Sequence, residues 1–203
     1  MRRSQLEREL SQLAGFDAPT ASLEQYRTPG DVAAHLCHLA TLYDDLDRPV
    51  VDLGCGTGVL ALGTVLAGAR SVLGIERDRD ALVVAQRNER QLLLTSPPQW
   101  IQGDVSSPPI DCDGVTVVMN PPFGAQKTNV HADRPFLRTA ADIGAVSYSI
   151  HNAGSKEFLT AFVGEHGGTI THAFSLAFDV THSFEFHTEG RRTIDAEAYR
   201  IEW

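Results

Sequence analysis

The sequence predicts an α/β fold with a mostly parallel sheet and an antiparallel hairpin at one edge. Three observations lead to this prediction. From Pro49 onward, short apolar segments typical of buried strands alternate with amphipathic segments typical of helices. A glycine-rich turn joins the first strand to the helix that follows it. Two long segments of alternating polarity, about 168–180 and 191–203, close the chain around a polar turn at 188–190 and predict the hairpin.

Each element follows from a local pattern. Leucines at helical spacing predict a helix over 4–14, and a connector follows at 15–21. Thr28-Pro29 opens a second helix that ends at Leu42, because proline is favoured in the first turn. A polar turn at 44–48 precedes the alternating region. We predict strands at 49–53, 71–76, 99–102, 114–120 and 144–150, helices at 58–68, 78–94, 134–143 and 156–166, and a polar loop at 124–133.

The bulk properties are those of an ordinary globular protein. With 203 residues and 42% hydrophobic residues, residues 1–203 are expected to form one domain, with a helical extension at about 1–45. We expect no membrane span and no signal peptide. The three cysteines show no metal-ligand spacing, and His35 and His38 have no evident third ligand. We therefore expect reduced thiols, a cytoplasmic location and no metal site.

The net charge of −9 argues against a broadly basic surface for nucleic acids. However, only Lys127 and Lys156 among the 17 basic residues are lysines, and acidic residues are abundant. This composition is typical of a halophilic archaeon, whose cytoplasm is rich in salt. At 1 M salt the screening length between charges is only about 3 Å. A GC-rich genome would also favour arginine over lysine. Net charge is then a poor guide to RNA binding.

Asn120-Pro121-Pro122-Phe123 is the most informative stretch of the chain. It ends an apolar strand, and two prolines cannot continue a ladder because they lack an N–H and have a fixed φ. Ligands bind at this end of the strands in open α/β sheets. Asn120 Oδ1 and the Pro121 carbonyl can accept hydrogen bonds from an exocyclic amine, and Phe123 can stack on its ring. The motif therefore indicates a flat substrate that bears an amine.

The other strand ends predict a cofactor site. The first strand runs into a turn that places Asp52 before the glycines of a G-x-G-x-G pattern, which permits close approach of a ligand. This spacing differs from the G-x-G-x-x-G of NAD-type sites. Glu76 ends the second strand, where an acid can hold ribose hydroxyls, and Asp104 and Val105 follow the third, where they can bind adenine. The set fits S-adenosylmethionine, with its ammonium group near Asp52.

The sequence resembles the methyltransferase-like 5 family, whose members are N6-adenine methyltransferases of small-subunit ribosomal RNA. The resemblance covers roughly residues 5–203. It is carried by motifs in the same order, at 23–28, 43–45, 52–56, 119–124, 149–151 and 186–187. It implies a class I, Rossmann-like methyltransferase fold with a seven-stranded sheet. It also implies a ribosomal RNA substrate and a small zinc-binding methyltransferase activator as partner, with Trp100-Ile101 on a probable edge strand as a docking point.

The resemblance also implies roles for individual residues. Gln25 and Thr28 would fold over the methionine end of the cofactor. The rest of the cofactor site would come from Asp52, Gly54, Gly56, Thr57, Gly58, Val59, Glu76, Asp104, Val105 and Asn120. The catalytic residues would be Asn120, Pro121, Pro122 and Phe123. The loop at 124–133, with Lys127, is a candidate lid, and Arg134, Arg138, Lys156, Arg191 and Arg192 are candidate phosphate contacts.

Two other functions remain open at this stage. A glutamine N5-methyltransferase of the release-factor type uses the same Asn-Pro-Pro motif to bind a side-chain amide, typically with Tyr in place of Phe123. A non-catalytic protein that binds the cofactor and assists an active methyltransferase is the second alternative. A DNA adenine methyltransferase is less favoured, because no target-recognition domain is visible in 203 residues.

Overall fold

The computed structural model describes residues 1–20, 23–123, 132–180 and 192–203, with the backbone alone for 177–180 and 192–194. The helices are α1 (Arg3–Ser11), α2 (Gly30–Leu42), α3 (Val59–Ala67), α4 (Arg79–Gln91), α5 (Arg134–Ile143) and α6 (Lys156–Glu165). The strands are β1 (Val50–Leu53), β2 (Val72–Glu76), β3 (Gln99–Gln102), β4 (Val115–Met119), β5 (Gly144–Asn152), β6 (Thr169–Val180) and β7 (Arg192–Glu202).

The seven strands form one sheet in the order β3-β2-β1-β4-β5-β7-β6. The first five strands in this order, from β3 to β5, are parallel to one another. Strand β7 is antiparallel to both β5 and β6. The predicted fold class is thus confirmed, including the antiparallel hairpin at one edge. The predicted turn at 188–190 and the loop at 124–131 lie outside the described residues.

Register aligns the carboxyl ends of four parallel strands. Leu53 of β1 lies opposite Ile75 of β2 and Met119 of β4, and Ile75 lies opposite Ile101 of β3. The polar residues that end or follow these strands therefore lie along one rim of the sheet, as the alternating pattern predicts. Backbone hydrogen bonds set this alignment, so it does not depend on the side chains at the rim.

Helices cover both faces of the sheet. On one face, α1, α2 and α3 bury a cluster that includes Leu6, Leu36 and Leu60. On the other, α5 and α6 bury Leu137 and Leu159. Both faces of β1 and β4 are covered, so these strands consist of buried residues throughout, as expected for central parallel strands. Among the described residues, no helix is both long and apolar enough to cross a bilayer.

A buried ion pair ties the N-terminal helices to the C-terminal hairpin. The predicted polar turn at 44–48 contains a short 3-10 helix, Asp45–Asp47, and Asp45 is only 3% exposed. Its carboxylate accepts hydrogen bonds from Arg200 Nε of β7 (2.9 Å) and from the Tyr148 hydroxyl of β5 (2.6 Å). The Arg200 guanidinium also lies 4.7 Å from the Tyr43 ring centroid. The turn is therefore a packed junction of three chain segments.

Replacing Asp45 by Asn should lower the free energy of unfolding by about 3 kcal/mol, because it removes the buried carboxylate that pairs with Arg200 and leaves only the exposed Glu202 as its counter-ion. Urea denaturation followed by circular dichroism would measure the loss. Asp47→Asn, at an exposed position of the same turn, is the matched control and should change stability by less than about 0.5 kcal/mol. Equal stability of the two variants would contradict the role of the pair.

Candidate functional site

A cavity of about 380 Å³ opens at the carboxyl ends of β1, β2, β3 and β4. Most residues predicted for the site line this cavity. They are Gln25, Thr28, Asp52, Gly54, Gly56, Thr57, Val59, Glu76, Asp104, Val105, Asn120 and Pro122. Gly58, Pro121 and Phe123 were also predicted to form the site but are not part of its wall.

The turn after β1 approaches the cavity through glycines. Gly54 and Gly56 have φ values of 68° and 52°, in the left-handed region. A Cβ on Gly54 would lie 2.6 Å from the Phe136 ring, and one on Gly56 would lie 2.9 Å from the Phe16 ring. Only glycine leaves room for both rings. Gly58 also has a positive φ, 84°, and its Cβ would lie 2.7 Å from the ring of Trp100, which is not part of the cavity wall.

Asp52 is a buried carboxylate with one free acceptor. It is 1% exposed, and its Oδ2 accepts a hydrogen bond from the Ala61 N–H at 2.8 Å. Its Oδ1 is buried and has no hydrogen-bond partner within the described structure. Burial raises the pKa of Asp52 to about 8, partly offset by the Ala61 N–H. An unpaired buried acceptor is costly, so a cationic donor in the cavity would stabilise it.

Glu76 connects the glycine turn to the end of β2. Its Oε2 accepts from the Gly56 N–H and its Oε1 from the Asp78 N–H, both at 2.9 Å. Burial raises the pKa of Glu76, and these N–H groups oppose the shift. Each carboxylate oxygen has two lone pairs, so the residue can still accept from ligand hydroxyls.

The two residues predicted from the N-terminal segment are held at different places. Gln25 Nε2 donates to Asp78 Oδ2 at 2.6 Å, beside the end of β2. Thr28 instead contacts Asn120, which follows β4. The resemblance assigns both to the methionine end of the cofactor, and both line the cavity, where their side chains bond to different neighbours.

Asp104 follows β3 and lines the cavity. It is exposed, and its Oδ1 accepts from the Ser106 N–H (2.8 Å) and hydroxyl (2.7 Å). These bonds lower the pKa of Asp104. The neighbouring Val105 carbonyl accepts from the Thr139 hydroxyl at 2.6 Å, which attaches this loop to α5.

The four residues of the tetrapeptide have different surroundings. Asn120 Nδ2 donates to Thr28 Oγ1 at 3.0 Å, and Asn120 Oδ1 is buried without a hydrogen-bond partner among the described residues. Pro121 is buried, and Pro122 lines the cavity. The Phe123 ring, predicted to stack on a substrate, packs against Tyr26, with centroids 5.2 Å apart.

Several residues in or next to the cavity were not predicted from the sequence. Phe16 and Phe136 cover the glycine turn, and Tyr26 forms part of the wall. Asn88 of α4 is fully buried, and its Nδ2 donates to the carbonyls of Ala14 (3.0 Å) and Thr57 (2.9 Å). The one available signal for Phe16 was that it is an aromatic residue in a connector of otherwise small or polar residues. Asn88 follows Ala81, Val84 and Ala85 at helical spacing on the apolar face of α4, which was the available signal for its burial.

Comparisons with known proteins agree with this geometry. A model of the methyltransferase small domain matches residues 30–145. The rRNA N6-adenosine-methyltransferase METTL5 of Danio rerio is 32% identical over 99% of this chain and 99% of its own length. Mettl5 of Drosophila melanogaster, with the same description, is 30% identical over 97% of this chain and 94% of its own length.

The chain belongs to the methyltransferase-like 5 family. The crystal structure of a proposed RNA methyltransferase from Pyrococcus horikoshii also resembles it, with 39% identity, a TM-score of 0.89 and coverage of 100% of this chain and 98% of that one. The protein is therefore a methyltransferase, and its cofactor is S-adenosylmethionine.

The residues of this methyltransferase fit that cofactor. The unpaired Asp52 Oδ1 suits an ammonium group, and the glycine turn leaves the backbone open to a ligand. Glu76 and Asp104 lie along the rim at the ends of adjacent strands, where ribose and an adenine amine would find acceptors. Within the described residues, no three His, Cys, Asp or Glu side chains are grouped to hold a metal ion.

The raised pKa of Asp52 predicts a pH dependence of stability in the ligand-free protein. Between about pH 4 and pH 8, the folded state keeps a proton on Asp52 that the unfolded chain has released. Stability from this group is therefore fully present below pH 4 and is lost as the pH rises through 8. The thermal midpoint of Asp52→Asn should fall less than that of the wild type from pH 5 to pH 8.5. Parallel midpoints over this range would rule out the shift.

Proposed function

We propose that this protein methylates the exocyclic N6 amine of an adenosine in RNA, and that the RNA is small-subunit ribosomal RNA. The observation that carries the proposal is Asn120 Oδ1, a buried acceptor without a partner among the described residues, in the wall of the cofactor cavity. An amine is the donor that such an acceptor lacks. The family members named rRNA N6-adenosine-methyltransferases support the choice of base and of RNA.

The enzyme contributes to this reaction mainly by positioning the amine and the methyl donor. The lone pair of an adenine amine is delocalised into the ring, so the nitrogen is a poor nucleophile. Asn120 Oδ1 and the Pro121 carbonyl, as paired acceptors, would favour a pyramidal nitrogen and stabilise the positive charge that develops on it. S-adenosylmethionine supplies an activated methyl group, so in-line positioning accounts for much of the remaining rate. The methylated amine is acidic enough to lose its proton to water, and no strong base is needed.

The target base must leave its stack to reach Asn120. We propose that Phe123 then provides an aromatic surface, a contact worth about 1–3 kcal/mol in other base–aromatic stacks. Phe123 packs against Tyr26, which lines the cavity, and we propose that the base enters beside this pair of rings. The Phe123 carbonyl accepts from Asn152 Nδ2 at 3.1 Å, which holds the end of the tetrapeptide against β5.

RNA capture is proposed to depend on salt and on a partner, because the chain has a net charge of −9. Of the candidate phosphate contacts, Arg134 lies over the Phe158 ring at 5.4 Å. Lys127 and Arg191 lie outside the described residues, as does most of the candidate lid. We also propose a halophilic archaeal origin, which the composition supports. The proposed ribosomal substrate supports a cytoplasmic location.

The partner is proposed to be a small zinc-binding methyltransferase activator that adds to the edge of the sheet. Among the described strands β3 lies at one edge of the sheet, and there one row of its backbone groups has no neighbouring strand. Trp100, however, packs inwards. Its Nε1 donates to Glu89 Oε2 at 2.6 Å, and its ring contacts the positions of Gly58 and Gly74. Docking would therefore use the backbone of β3 and not the indole.

Asn120→Ala should abolish methyl transfer and leave the affinity for S-adenosylmethionine within about threefold, because Asn120 receives the substrate amine. Calorimetry with the cofactor and methyl transfer from labelled cofactor measure the two properties. Asp52→Ala is the contrasting variant and should weaken cofactor binding. Equal loss of binding and transfer in Asn120→Ala would contradict its assigned role.

The substrate class can be decided by parallel assays. Purified small-subunit ribosomal RNA, release factor and duplex DNA would be incubated with labelled S-adenosylmethionine at molar salt, with and without the activator. We expect label in the RNA, at N6 of adenosine after nuclease digestion. Label in release factor alone would instead identify a glutamine methyltransferase, and no label in any substrate would favour a non-catalytic cofactor-binding protein.

A further inference from the structure

The Asn120 carboxamide is held by a residue from the N-terminal segment. Its Nδ2 donates to Thr28 Oγ1 at 3.0 Å, and Thr28 is only 8% exposed. The other end of the same amide, Oδ1, is buried and has no partner in the described part of the chain. Because both residues line the cavity, the bond with Thr28 leaves the acceptor end of the amide for a ligand.

The orientation of this amide matters chemically. A primary amide can rotate by half a turn and exchange its donor and acceptor ends with little change in shape. With Nδ2 towards the cavity, Asn120 would present N–H donors to an amine that also donates. With Oδ1 towards the cavity, it presents an acceptor. The Thr28 hydroxyl can donate or accept, and in the structure it accepts from Nδ2, so a fixed partner at that end leaves Oδ1 to receive an amine.

Thr28 is well suited to be that fixed partner. Pro29 follows it and restricts its backbone to extended conformations, and Pro121 does the same for Asn120. Immediately after Pro29, α2 begins at Gly30, where a Cβ would lie 2.4 Å from Ser11 Oγ. The start of α2 is thus pressed against the end of α1. Both ends of the hydrogen bond lie on stiff, packed backbone.

A second contact joins the same two segments. The Tyr26 ring packs against the Phe123 ring, with a centroid distance of 5.2 Å and an interplanar angle of 40°. Residues 26–28 therefore contact the first and the last residue of the tetrapeptide. These residues therefore contact the tetrapeptide itself and do more than cover a cofactor.

We propose that Thr28 is a positioning residue that orients the Asn120 carboxamide, with Oδ1 directed at the amine to be methylated. The inference rests on the proposed function of Asn120 as the acceptor for that amine. It adds a role for Thr28 in catalysis besides its place in the wall of the cofactor cavity. Thr28 acts through Asn120 and need not touch the substrate.

Two substitutions separate the hydroxyl from the shape of the side chain. Thr28→Val keeps the volume and removes Oγ1, whereas Thr28→Ser keeps the hydroxyl. At saturating cofactor, Thr28→Val should lower kcat about tenfold, the ratio expected for one ordinary hydrogen bond, and Thr28→Ser should stay within about threefold of wild type. The affinity for S-adenosylmethionine is measured separately by calorimetry, because Thr28 also lines the cofactor cavity, and saturating cofactor keeps any change in that affinity out of kcat.

A readout that needs no substrate tests the same contact. In ¹⁵N-labelled protein, the side-chain amide signals of Asn120 would be assigned by their absence in Asn120→Ala. Thr28→Val should shift these signals and speed their exchange with water, and Thr28→Ser should not. A thermal melt of each variant controls for folding. If Thr28→Val does not fold, Thr28→Ala takes its place.

Three results would overturn the inference. One is an unchanged set of Asn120 amide signals in folded Thr28→Val. Another is full kcat in that variant, and the third is a loss confined to cofactor affinity. A different result would contradict the proposed function, namely that wild-type protein transfers label to release factor alone or to none of the substrates. In that case the amide signals still decide whether Thr28 holds Asn120.

Discussion

Backbone pairing among four parallel strands is the constraint on which the site depends. The register of β3, β2, β1 and β4 brings their carboxyl ends to one rim, although the residues that end them are spread over some seventy positions of the chain. Asp104, Glu76, Asp52 and Asn120 follow this strand order. The polar groups of the site can vary, while the ladder that aligns them involves only main-chain atoms.

The site combines strong anchoring with a few groups left unpaired. Glu76 and Gln25 use their polar atoms to bind neighbouring parts of the protein, and both hold the wall of the cavity in place. Asp52 and Asn120 each keep one buried oxygen without a partner among the described residues. Such atoms cost stability in the ligand-free protein and lower the cost of binding an ammonium group or an amine. The anchored residues define the shape, and the unpaired oxygens define the chemistry.

The N-terminal segment completes the site from outside the sheet. Asn88 binds both the connector at Ala14 and the glycine turn at Thr57, so α4 joins the two. Thr28 binds Asn120, and the ion pair of Asp45 with Arg200 fixes the end of the N-terminal helices to β7. A change in this segment is therefore expected to affect cofactor and substrate groups together.

The sequence by itself determined the element order, the parallel sheet with its hairpin, and the residues at the strand ends. Period-2 and helical patterns, glycines and prolines are local signals, and strand ends in α/β folds meet by rule. Only the tertiary structure decided that Phe123 packs on Tyr26, that Gly58 makes room for Trp100, and that Thr28 holds Asn120. These contacts join residues far apart in the chain. Their distances depend on how helices pack over the sheet, which no local pattern encodes.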